Sequence, residues 1–331
     1  MIRLSMTVNI FLQLLRTANF FVAIWGASLY AFDLITNHRT KLYLDFMRWY
    51  VQREVRDAVA HYHQNATEIQ HALKAERKKN FFPKTPIWVC WLQGEEHMPW
   101  IVKKCYENLQ CKVDPEDAQV VLVTLDNYAD FVEIEDSVCD KLKKGILTYT
   151  NFSDYLRVKL LAVYGGLWID STVYVTKPID KQLLSRPFYS QKTNTEFYVR
   201  RYVSQSRWAS WLMLTDPDRE LFSFVASVMR DYYLRCNGLP DYYFIDYIIE
   251  IAYEQIDSVR RDMDALEVNN EYSFRLFNDM FSEEYDAAAF QDVYEKTQFF
   301  KFTYKDEHKK VTPTGKETNF GYFCRVYLED T

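Results

Sequence analysis

Residues 153–172, SDYLRVKLLAVYGGLWIDST, constrain the fold more than any other stretch of this chain. They read as a helix, a glycine stop, a short buried strand and an acid where the strand runs out. Asp154 and Arg157 are three apart and share one helix face. Leu156, Leu160, Leu161 and Val163 supply the apolar stripe of that helix. Gly165 and Gly166 predict its end, because glycine takes the left-handed conformation after a helix without penalty. Leu167, Trp168 and Ile169 are too short and too apolar for anything but a core strand. Asp170 then emerges at the strand's carboxyl end, where open α/β sheets bind their ligands.

The flanking sequence predicts an α/β domain over 81–331 behind a helical extension over 1–80. Residues 87–91, an apolar run between Pro86 and Gly94, predict the first strand. Pro99 suits the first turn of a helix running to about 109. Residues 119–124, QVVLVT, predict a second strand, and this spacing makes a βαβ unit with a parallel sheet. Further strands are expected at 188–191, 197–203 and 298–304, and helices at 137–144, 218–234 and 240–254. In the extension, residues 4–15 have amphipathic spacing. Residues 17–32 carry no charge, yet they are fewer than the ~20 apolar residues a membrane span needs. They predict a packing helix, with peripheral membrane contact through residues 1–35 as the competing expectation. No small-residue cleavage site follows, so no signal peptide is expected. Residues 41–79 read as long charged amphipathic helices that brace the domain or bind a partner.

Composition removes several functions. The net charge is −6 and there is no long basic run, only short groups such as Arg77-Lys78-Lys79, Arg200-Arg201 and Arg260-Arg261. Nucleic-acid binding needs larger basic clusters to neutralise phosphates, so it is not expected. Six scattered cysteines (90, 105, 111, 139, 236 and 324) lack zinc-site spacing and predict a reducing, cytoplasmic compartment. Cys90 falls inside the first strand and is expected to be inert. Two glycosylation sequons begin at Asn65 and Asn151, and the second adjoins the 153–172 segment, where a glycan would be awkward. The 25 Tyr and 23 Phe are expected first in core and at interfaces, with stacking in a carbohydrate site as the competing expectation. GxSxG, HExxH and P-loop motifs are missing from the sequence.

The 153–172 pattern resembles the sugar-nucleotide glycosyltransferases that carry a DXD motif. In particular it is similar to the capsular polysaccharide synthesis group, within or near glycosyltransferase family 32. Yeast mannosyltransferases and the glucosyltransferase domains of large clostridial toxins share the helix-GG-strand-Asp pattern more distantly. Residues 87–109, 241–249 (DYYFIDYII) and 301–305 (KFTYK) look like further blocks of the group, so the resemblance covers roughly 86–325.

The resemblance implies a GT-A type, Rossmann-like mixed sheet flanked by helices. It implies transfer of a sugar, with retention, from a nucleotide-diphosphate donor, in first place a UDP-sugar, to a glycan or lipid-linked glycan of a surface polysaccharide. Trp91 and Gln93 would hold the nucleoside, and Asp154 with Arg157 the sugar. Asp170 would hold a divalent cation, Mn²⁺ or Mg²⁺, or the ribose. Asp241 or Asp246 would face donor or acceptor. Lys301 and Lys305 alternate with Phe302 and Tyr304, which puts both lysines on one strand face beside the diphosphate. One departure stands out: Thr172 occupies the place of the motif's second acid, and a hydroxyl is a poorer ligand than a carboxylate for a hard cation. That departure sustains a second expectation, a non-catalytic sugar-nucleotide-binding scaffold of a polysaccharide assembly complex.

Overall fold

A computed structural model describes residues 2–36, 41–77, 81–193 and 202–328. In chain order it runs α1 (Ile2–Thr17), α2 (Phe20–Ile35), α3 (Leu42–Glu76), β1 (Thr85–Cys90), α4 (Trp100–Cys111), β2 (Ala118–Val123), α5 (Tyr128–Phe131) and α6 (Asp136–Lys143). It continues with α7 (Tyr149–Tyr164), β3 (Gly166–Ile169), β4 (Val173–Val175), α8 (Lys181–Leu184), β5 (Phe188–Ser190), β6 (Leu212–Thr215) and α9 (Glu220–Arg235). Towards the carboxyl end follow α10 (Phe244–Gln255), α11 (Asp257–Asp264), α12 (Ala287–Lys296) and β7 (Phe299–Lys301).

The main sheet has five strands in the order β2-β1-β3-β6-β5. β1 runs parallel to β2 and β3, so the expected βαβ unit is present. β6 is antiparallel to both β3 and β5, which makes the sheet mixed. β4 and β7 form a separate antiparallel ribbon in which Val173 faces Lys301.

The helix–glycine–strand segment folds as its pattern predicts, with one change of reason. Thr148 and Asn151 form a reciprocal capping box at the start of α7, which starts the helix at a fixed residue. Asn151 is therefore a buried structural side chain, and the second sequon lies inside the fold. Gly165 ends the helix at φ 67°, ψ −148°, outside the left-handed helical region and in backbone space open essentially to glycine alone. A Cβ there would sit 2.6 Å from the Pro217 nitrogen and 2.7 Å from the Thr215 oxygen. A Cβ on Gly166 would meet the Pro86 carbonyl oxygen. The two glycines thus let β3 slide tightly between β1 and β6.

Two sequence expectations change, and a third can be followed only at its end. β7 ends at Lys301, where 298–304 was expected to be extended. The Thr303 hydroxyl accepts the Lys305 N–H and closes a turn that carries the chain away from the ribbon. The helix expected at 240–254 starts at Phe244, because the Asp241 carboxylate accepts the Tyr243 N–H and forms a turn ahead of it. The strand expected at 197–203 lies largely outside the described residues, as does the Arg200-Arg201 pair, and residues 202 and 203 are bend and turn.

The N-terminal helices share the main hydrophobic core with α7, α9 and α10. Val51, Val55, Val59 and Tyr62 of α3 are buried, and the Tyr62 hydroxyl pairs with Ser223 of α9 at 2.9 Å. α2 packs through Val22, Ala23, Gly26 and Ala27. Its other face leaves Phe20, Phe21, Ile24 and Trp25 exposed. Among the described residues, no helix is long and apolar enough to cross a membrane.

Candidate active site

Asp170 leaves β3 at its carboxyl end, and its backbone N–H donates to the Trp211 carbonyl at 3.0 Å. That bond ties it to the neighbouring antiparallel strand. Its Oδ1 accepts from the Trp168 indole at 2.8 Å and from Arg157 Nη2 at 3.0 Å. Its Oδ2 accepts from Lys301 Nζ at 2.7 Å. The same ammonium donates to Thr172 Oγ1 at 2.7 Å. Arg157, rising from the α7 face that points at β3, reaches Asp154 at 3.2 Å and donates to the Ser210 carbonyl at 2.8 Å. Its guanidinium lies 4.8 Å from the centre of the Trp168 ring. The Asp154–Arg157 pair is therefore no surface i,i+3 bridge: both side chains are buried, and they are part of a network with Asp170 and Lys301.

Two cavities meet on this network, and Asp154, Arg157, Asp170 and Lys301 line both. The smaller, about 170 Å³, opens at the end of β1 and is walled by Trp91, Gln93, Thr172 and Tyr304. Trp91 is half-buried rather than core, edge-on to Tyr304 with ring centres 5.5 Å apart. The larger, about 330 Å³, is walled by Tyr202, Trp208, Trp211, Tyr242, Tyr243 and Asp246. Asp246, in the first turn of α10, accepts from the Trp208 indole at 2.9 Å.

Burial sets the acid–base character of the site. It pushes Asp154 up to about 7 against the pull of Arg157. It pushes Asp246 up to about 6 against the indole hydrogen bond of Trp208. Burial would raise Asp170 as well, but Lys301 and Arg157 outweigh it and hold that carboxyl below its usual range. One group is thus a firm carboxylate, while two neighbours can carry protons near neutrality. Cys90, at the end of β1 on the same wall, is pushed up to about 12 by burial and stays a thiol, which fits the expectation of an inert residue.

Two expected residues fall outside these cavities. Lys305 is exposed, because the chain turns after β7 instead of extending. Asp241 is buried beneath the rim, where it caps the turn before α10 and pairs with Tyr43 of α3. Burial raises it to about 6, against the Tyr243 amide. Sequence reasoning missed the aromatic wall of Tyr202, Trp208, Trp211, Tyr242 and Tyr243. Its signal was available in WASW at 208–211 and DYY at 241–243, two aromatic-rich stretches beside turns.

The residues do not fit a resident divalent cation. Both oxygens of Asp170 and the Thr172 hydroxyl already accept from cationic or indole donors, and an ammonium lies between positions 170 and 172. Among the described residues, no group of three or more His, Cys, Asp or Glu side chains could hold a metal ion.

No curated protein and no solved structure matches this chain. A family model, described as capsular polysaccharide synthesis protein, matches residues 37–321. The match begins well upstream of residue 86, so α3 falls within it, as do both cavity walls. The chain belongs to the capsular polysaccharide synthesis protein family.

Proposed function

We propose that this protein is a glycosyltransferase that moves a sugar from a nucleotide-diphosphate donor to a growing surface polysaccharide. Membership of the family suggests a role in capsule biosynthesis. The observation that carries the rest is the Asp154–Arg157–Asp170–Lys301 network where two cavities meet. A nucleotide sugar has two unlike ends joined by a diphosphate, and this layout matches that shape. The nucleoside belongs in the smaller cavity, with Trp91 giving an aromatic face and Gln93 paired polar contacts. The sugar and acceptor belong in the larger one, against the aromatic wall. We read the mixed sheet as GT-A type, on the parallel β2-β1-β3 half and the acid at the end of β3.

In the reaction, the bond from the anomeric carbon to the phosphate oxygen breaks and the acceptor hydroxyl oxygen bonds that carbon. With retention and no covalent nucleophile, the departing phosphate takes the acceptor's proton on the same face. Asp246 is placed to orient an acceptor or sugar hydroxyl. The test is hydrolysis of a panel of nucleotide sugars by the full chain. Slow release of the nucleotide from one donor supports catalysis. Binding of a donor with no turnover, even with glycan acceptors supplied, favours the scaffold.

We extend the proposal to the exposed apolar face of α1 and α2, which we assign to peripheral contact with a lipid surface. Gln13 of α1 donates to the Pro240 carbonyl at 3.0 Å, next to the Tyr242–Tyr243 rim of the larger cavity. A lipid-linked acceptor held at that surface would lie beside the cavity mouth. The six cysteines are free, which fits a reducing compartment such as the cytoplasm.

A further inference from the structure

We infer that the ammonium of Lys301 stands in for the divalent cation, so that this site binds the donor diphosphate without metal. The inference rests on the donor-site reading above and names the group that meets the leaving phosphate.

The position is built into the backbone. Lys301 faces Val173 across the β4–β7 ribbon, so its Cα is fixed one residue beyond Thr172. Its N–H donates to the Ser273 carbonyl at 2.8 Å, and the next residue, Phe302, donates to the Thr172 carbonyl at 2.9 Å. From there the side chain reaches Asp170 and Thr172 together, the two positions that flank a DXD cation. The residue types match this occupant. One carboxylate and one hydroxyl suit a single positive charge, and a second acid at 172 would leave the pair over-charged. Thr172 and Lys301 are thus complementary in charge: the hydroxyl accepts from the ammonium without adding a second negative charge.

The ammonium also has capacity to spare. It carries three donors, and Asp170 and Thr172 take two of them. Lys301 lines both cavities, so a phosphate crossing between them passes within its reach. Arg157 stands on the other side of Asp170, with its Nε–H buried and unpartnered. Together the two cations meet charge as it grows on the departing diphosphate, the work a metal performs in a DXD site. Asp170 then acts as a positioning residue that holds both cations. A divalent ion seated on Asp170 would have to displace the ammonium or sit against it, and like charges that close repel strongly.

Calorimetric titration of UDP and of GDP into the full chain tests this, once in excess EDTA and once in excess Mn²⁺. The expected result is binding of one nucleotide with affinities agreeing within about threefold, a difference of no more than about 0.7 kcal/mol. Lys301→Met should weaken it at least tenfold in EDTA. The double variant Thr172→Asp with Lys301→Ala rebuilds the missing acid and removes the competing charge, and should bind the nucleotide only with Mn²⁺. Circular dichroism melts identify a variant that fails to fold, in which case the parent titrations decide alone. A parent that needs Mn²⁺ for tight binding overturns the inference and leaves the donor site standing. No binding of either nucleotide under both conditions overturns the donor site and the inference with it.

Discussion

The charged centre around Asp170 and the α1–α2 hairpin are built on opposite terms. The centre is largely enclosed and over-determined: Asp170 accepts from three donors, and Arg157 reaches three oxygens, on its own helix, just past β3 and just before β6. The hairpin is secured along one face only, while Phe21 is 81% and Ile35 77% exposed on the other. Chemistry that depends on placing charge within tenths of an ångström needs the first kind of construction. Contact with a broad apolar surface needs only the second. Substitutions should therefore act through geometry at the centre and through area at the hairpin, and the effects should differ in size by an order of magnitude.

The largest effect expected is on stability. The unfolded chain ionises Asp154 near its ordinary value, while the folded chain keeps its proton until about pH 7. Between those values the native state binds more protons, so stability falls as pH rises from about 4 to 7. The loss from this one group is up to about 4 kcal/mol. Asp246 and Asp241, both raised to about 6, add in the same direction. Asp170, lowered by Lys301 and Arg157, acts with the opposite sign below its ordinary value. Asp154→Asn should flatten the slope and leave the variant more stable than the parent at pH 8. Urea melts at pH 5 and pH 8 measure both slopes, and parallel slopes would refute the burial of a protonated Asp154.

Asp170→Asn comes next. It leaves the cavity shape intact but releases Lys301 and reduces the anchor on Arg157. Turnover should fall at least 100-fold, roughly 2.7 kcal/mol of barrier. The measurement is kcat/KM for donor hydrolysis, with a melting curve recorded in parallel. Near-parent turnover in a folded variant would remove Asp170 from the site.

Arg157→Lys tests the same wall more gently. A lysine keeps the charge but cannot serve Asp154, Asp170 and the Ser210 carbonyl at once, nor stack flat against Trp168. Donor affinity should drop about tenfold, near 1.4 kcal/mol. Unchanged affinity would mean that the guanidinium serves only to hold the carboxylates apart.

The same contrast explains what could be read from the sequence. α7, the glycines, β3 and Asp170 are contiguous, and each is signalled by local spacing, so that half of the centre was legible. Lys301 is named through the resemblance and lines both cavities, but its contact with Asp170, 131 residues earlier, depends on the β4–β7 register and could not be read locally. β4 has three residues and β6 four, too few for a periodic pattern to distinguish them from loop. The alternation of Lys301 and Lys305 misled for the same reason: two residues of period 2 do not guarantee a strand, and Thr303 turned the chain. Asp241 and Asp246 looked equivalent as acids near one helix start. Only the fold separates a capping acid beneath the rim from one held by Trp208 inside the cavity. In the hairpin, the uncharged run gave the helix but not which face would be covered, because that depends on α3.

The smallest effect on chemistry, and the sharpest break between the two regions, is expected from Phe21→Ser. Removing residues 1–35 outright would be a poor test, because Leu14, Val22 and Ala23 belong to the main core. A Cβ on Gly26 would already press on Leu14 and Phe46, so the packed face tolerates little. Phe21 is on the opposite face, and a surface substitution there should change stability by no more than about 0.5 kcal/mol. Donor hydrolysis in solution should stay within twofold of the parent. Sedimentation with vesicles of phosphatidylcholine and phosphatidylglycerol should fall, because the most exposed ring no longer contributes apolar area to the interface. Trp25→Ser in the same background should lower it further, since indole rings favour the headgroup boundary. Full sedimentation of the double variant would take the hairpin out of any lipid contact. A loss of hydrolysis in step with sedimentation would instead mean that the hairpin acts on the cavity through the Gln13–Pro240 contact, and the two regions would then be a single functional unit.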